Sequence, residues 1–106
     1  MRVIWLSTAE EQLDSIYEFV ACNNPSAAVD IYNTIIEETD RLSTFPGIAS
    51  LELSLEEETE SYRSLVVNRT YKVIYRINLK AEEVVVVSVW DCRQEPEKLR
   101  RRVRGK

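Results

Sequence analysis

A chain of 106 residues, 44% hydrophobic and 30% charged, has the make-up of one globular domain spanning 1–106 that buries its core without disulfides. Two cysteines outside any CxxC pair exclude a disulfide framework and read as free thiols in a reducing cytosol. The absence of histidine excludes imidazole catalysis and most zinc sites, so neither a metal site nor a cofactor is expected.

The net charge of −4 conceals an asymmetry. Residues 1–92 carry seven basic and sixteen acidic side chains, whereas 93–106 carry seven basic and two acidic. A nucleic-acid surface covering the whole domain conflicts with that balance; a local basic patch at the tail KLRRRVRGK does not. No apolar run approaches the ~20 residues of a membrane span. The start, MRVIWLSTAEEQL, meets an acidic helix signal too early to be a signal peptide. A cytoplasmic protein is the expectation.

In chain order, RVIWL (2–6) reads as a first strand. Ser7 and Thr8 each begin an [ST]-x-x-E capping box, closing on Glu10 and Glu11. Ala9, Leu13, Ile16, Tyr17 and Val20 then recur at helical spacing. Asn24-Pro25 starts a second helix, with Asn24 as cap and Pro25 in the first turn. Its buried stripe is Ala28, Ile31, Tyr32, Ile35 and Leu42, and Phe45-Pro46-Gly47 stops it near Thr44. SLELSLEEE alternates like an edge strand, but its glutamates favour a solvated segment, with the acidic run at 55–60 as a loop. Strands follow at 61–67, 71–78 and 84–91, the first two joined at Asn68-Arg69, where Asn tolerates φ > 0. Val84–Val89 is apolar on both faces apart from Ser88, the pattern of a strand covered on both sides. Pro96 opens a short helix with Leu99 and Val103 one turn apart. The order βααβββα predicts an α+β domain in which a helical hairpin packs on an antiparallel sheet, with strand order open.

WLSTAEEQLDSIYEFV, the second helix ending in LSTFPG, YRSLVVNRTYKVIYRI and VVVVSVWDCRQEPEKL together resemble the RelE/ParE family, the toxins of bacterial type II toxin–antitoxin and plasmid-stabilisation modules. The similarity covers nearly the whole chain. It implies a small toxin held inactive by a cognate antitoxin whose C-terminal segment wraps it. One branch, RelE-like, cuts mRNA on the ribosome with a basic cluster and a C-terminal Tyr or His; the ParE-like branch poisons DNA gyrase by binding. Here Asp91-Cys92-Arg93-Gln94-Glu95 carries no such Tyr or His, and Val66-Val67 stand where the ribonucleases place a basic residue. The ParE-like reading is therefore favoured, with a ribosome-dependent endonuclease or a detoxified antitoxin-binding relative as alternatives.

For a nuclease, Arg63, Arg76 and Arg93 would stabilise the phosphorane, because guanidinium pairs bidentately with phosphate oxygens. Cross-strand pairing with carboxylates competes for Arg63 and Arg76. Tyr71 and Tyr75, four apart on one strand face, would stack on a base or simply pack in the core. For a binding protein the candidates are Phe19, Val29 and Ile36, which fall partly off the helical stripes, with Arg69, Tyr71, Tyr75, Lys98 and Arg101. An exposed apolar groove on the hairpin predicts that the isolated chain is poorly behaved or a homodimer without its partner.

Overall fold

The computed structural model describes residues 1–52 and 61–92. They form β1 (Arg2–Trp5), α1 (Ser7–Ala21), α2 (Pro25–Asp40), a 3-10 turn (Arg41–Ser43), β2 (Ser50–Leu51), β3 (Arg63–Val67), β4 (Tyr71–Asn78) and β5 (Glu83–Asp91). The expected helix after Pro96 and the acidic loop at 55–60 lie outside the described residues.

The first helix starts for a different reason than its sequence suggests. Leu6 is the N-cap residue, in an extended conformation, and no side chain caps the helix. The Leu6 N–H still donates to Val86 in the sheet at 3.0 Å, while its carbonyl accepts from Glu10 at 3.1 Å. Strand pairing thus runs to the last residue before the helix, and Ser7 and Thr8 lie inside α1, so neither capping box forms. The second helix does follow its sequence signal. Asn24 Oδ1 accepts from the Ala27 N–H at 3.1 Å, and Pro25 occupies the first turn. It ends at Asp40 and passes through the 3-10 turn, which buries Leu42 completely.

The sheet is five-stranded, in the order β1-β5-β4-β3-β2. It is mixed rather than wholly antiparallel, because β1 pairs parallel to β5, Arg2 opposite Glu83 through Trp5 opposite Val86. An Arg2–Glu83 ion pair of 2.6 Å closes the outer end of that register. β5, paired on both edges, is the double-sided apolar strand the valine run implied. A register shift between Ile74 and Tyr75 interrupts its ladder with β4. Beside it, Gln12 of α1 accepts from Ser88 Oγ (2.8 Å) and Val89 N–H (2.9 Å), which pins the helix to the strand.

Each sheet face has its own apolar cluster. Leu13 and Ile35 of the hairpin and Leu42 of the 3-10 turn meet Val73, Tyr75, Val84, Val86 and Val89 on one face. Ile74, Val85, Val87 and Trp90 cluster on the other, with Leu6 and Tyr62 against them. Burying a side chain such as Ile35 contributes roughly 1.5–3 kcal/mol, so the hairpin is held chiefly by this packing. The helices also touch through Tyr17 and Tyr32, whose rings meet edge to face at 5.8 Å.

Candidate functional site: an engaged meander and an open groove

The arginines and tyrosines of the meander are largely engaged in structure. Arg63 stands opposite Tyr75 in the β3–β4 ladder and donates from Nη1 to the Ala49 carbonyl at 2.7 Å. Tyr75 is fully buried, and its hydroxyl donates to the Pro46 carbonyl at 2.7 Å. Burial pushes the Tyr75 phenol above its ordinary pKa, against the opposing pull of a hydrogen bond at the Ala49 backbone and the Arg63 charge. Tyr75 therefore holds the Phe45-Pro46-Gly47 bend and Arg63 the residue just before β2, where the Pro46 and Ala49 carbonyls would otherwise need other donors. Tyr71 is buried as well, paired across to Val67 and Asp91.

Arg76 follows Tyr75 along β4 and so points from the opposite sheet face to Tyr75 and its partner Arg63. The two arginines nevertheless border one shallow opening of about 310 Å³ at the sheet rim, with Ser61 and Ile77. Arg69 is exposed at the β3–β4 turn, where it and Asn68 both adopt positive φ. Arg93, Lys98 and Arg101 lie outside the described residues, so the structure does not bring Arg93 together with the other two.

One polar pair escaped the sequence reading. Lys72 Nζ contacts Glu52 Oε1 at 2.7 Å, and Glu52 is 5% exposed although its surrounding glutamates had suggested a solvated stretch. Only the cross-sheet arrangement could reveal it, because the partners are 20 residues apart.

The surface left open lies elsewhere. Phe19 (72% exposed) and Val29 (45%) sit on the outside of the hairpin. Ile36 is half-buried and packs on the core. It also lines a groove of about 510 Å³, where Val3, Ile4 and Trp5 of β1 face Leu13, Tyr32 and Ile36 of the hairpin. Glu10 and Asp14 stand on its rim. A second depression of about 410 Å³, lined by Asp14, Tyr17, Glu18 and Tyr32, shares Asp14 and Tyr32 with it. Periodicity had assigned Tyr32 to the buried stripe. That Tyr32 and Trp5 both line a groove follows only from β1 being an edge strand.

Among the described residues, no group of three or more His, Cys, Asp or Glu side chains is placed to hold a metal ion. No helix there is long and apolar enough to cross a membrane. A helical hairpin on one face of a small mixed sheet, with its meander arginine and tyrosines engaged and an aromatic groove open, defines a compact α+β domain. The family described as the ParE toxin of the type II toxin–antitoxin system, parDE, matches residues 3–96, and the chain belongs to it. A chain titled as the chromosomal ParDE TA system from P. aeruginosa has a similar fold, with a TM-score of 0.69 at 20% identity. The alignment covers 86% of this chain and 95% of that one. No curated protein matches the sequence.

Proposed function

We propose that the chain is a toxin neutralised by a cognate antitoxin, and that it acts in the cytoplasm by binding a target protein such as DNA gyrase. Membership of the ParE toxin family over residues 3–96 carries the first part of this reading. The engagement of Arg63 and Tyr75 with the Ala49 and Pro46 carbonyls supports binding over RNA cleavage. Cleavage without a metal needs a group to take the 2′-hydroxyl proton and one to protonate the leaving oxygen. Tyr75 is poorly suited to either role, since its proton is committed to a carbonyl and its pKa is raised. The alternative, a ribosome-dependent mRNA endonuclease, draws on the rim opening that Arg63 and Arg76 share.

Induced expression in a bacterial host separates these readings. Gyrase poisoning predicts growth arrest with filamentation, inhibited supercoiling by purified gyrase, and relief when a neighbouring antitoxin gene is co-expressed. Specific new mRNA 5′ ends in primer extension, with supercoiling intact, would establish the nuclease instead.

A further inference from the structure

The β3–β4 turn holds an arginine in a backbone conformation that does not suit it. The Thr70 N–H donates to the Val67 carbonyl at 3.2 Å, closing a turn whose central residues are Asn68 and Arg69. Both are left-handed, with φ of 51° and 60°, as the twist of a tight hairpin demands. Asn tolerates that region and glycine adopts it freely, whereas the Cβ of an arginine crowds the following carbonyl there. Glycine would serve the hairpin better, so the turn itself gives no reason for the arginine. Residues kept in such sparsely populated conformations cluster at binding sites.

The same end of the sheet is where the basic part of the chain begins. Tyr71 pairs with Asp91, and the Cys92 N–H donates to the Thr70 carbonyl at 2.7 Å. Residues 93–106, with seven basic and two acidic side chains, therefore leave from beside the turn. Of the cations that the described residues place at this end, Lys72 is committed to Glu52 at 2.7 Å, while Arg69 is exposed. A guanidinium projecting from a tight turn fits a discrete acidic site, which it can grip with two parallel hydrogen bonds. A nucleic acid fits less well, because residues 1–92 carry sixteen acidic side chains against seven basic ones and repel an extended polyanion.

We infer that the β3–β4 turn is a contact point for the target, its Arg69 guanidinium entering an acidic site on the protein that the toxin acts on. This rests on the toxin reading above and adds to it the residue and the chemistry of the contact. Two residues at the opposite end of the sheet, in the β4–β5 turn, supply controls. Glu82 shares the positive φ, at 55°, and Lys80 is an exposed cation beside it.

The test titrates expression of the full chain in a bacterial host, with immunoblotting to measure the protein needed for half-maximal growth arrest. R69G and R69E should each require at least about tenfold more protein than wild type, whereas E82G and K80E should match it. In thermal melts of the purified chains, R69G and E82G should unfold at or above the wild-type temperature, since both relieve a left-handed residue. Loss of potency without loss of stability separates a contact from a structural role. R69G or R69E as potent as wild type would overturn the inference, and so would an R69G chain that melts below wild type. Equal losses in R69E and K80E would assign the effect to net charge, and equal losses in R69G and E82G to the backbone; either result overturns it. Retention of a labelled DNA duplex by wild type but not by R69E would give the turn to nucleic acid, with the same consequence. A wild-type chain that never arrests growth removes the toxin reading and this inference with it; arrest that both Arg69 variants retain removes this inference alone.

Discussion

The meander and the hairpin carry their charges in opposite ways. In the meander, the Arg63 guanidinium and the Lys72 ammonium each have a hydrogen-bonded partner within the chain. On the hairpin, Glu10, Asp14 and Glu18 have none among the described residues. Charge placed among buried strands must be neutralised or hydrogen-bonded, because leaving it unpaired in a low-dielectric interior is costly. Charge on an exposed helix face can await an external partner in water. Conspicuous side chains within the sheet are therefore a weak guide to a working surface.

Substitutions sharpen this contrast, beginning where the largest loss is expected. Lys72→Met should destabilise the fold by about 3 kcal/mol, because it removes a cation from the buried Glu52 carboxylate. Urea unfolding would measure the loss, and a change below about 0.5 kcal/mol would contradict the engaged meander.

Tyr75→Phe should cost about 1 kcal/mol at neutral pH through the lost bond to the Pro46 carbonyl. Its alkaline behaviour is a separate test. The folded-state pKa of Tyr75 lies above its ordinary value of 10.0, so the unfolded chain loses that proton first as pH rises. The stabilisation is complete below pH 10.0 and is lost as pH rises through the folded value. Wild-type stability should accordingly fall more steeply above that pH than that of the phenylalanine variant, as thermal melts across the range would show.

The smallest change is expected on the hairpin's outer side. Phe19→Ser should alter stability by less than about 0.5 kcal/mol, since Phe19 is 72% exposed. A loss of more than about 1 kcal/mol in urea unfolding would mean that the outer face is structural after all.

Much of the fold was legible in local chemistry. The Asn24 cap and Pro25 start α2 as their residue types require, and the valine run became the strand paired on both edges. The capping boxes at Ser7 and Thr8 misled because a longer-range interaction, the Leu6–Val86 hydrogen bond, holds the chain in the sheet until α1 begins. The site was less legible. Ile36 was visible as an apolar residue off the stripe, but Trp5 and Tyr32 read as packing, because nothing local says that β1 lies at an edge.

By itself, the sequence determined the elements: the second helix with its Asn24 cap, the apolar stripe of the first, four of the five strands by their apolar pattern, and a hairpin without a basic side chain. These follow from short-range preferences of backbone and side chain, and from composition. Tertiary structure alone decided that β1 pairs parallel with β5, that Tyr75 and Arg63 bond the Pro46 and Ala49 carbonyls, and that Lys72 meets Glu52. Each of these joins groups distant along the chain, and their meeting depends on the sheet register, which no local pattern encodes.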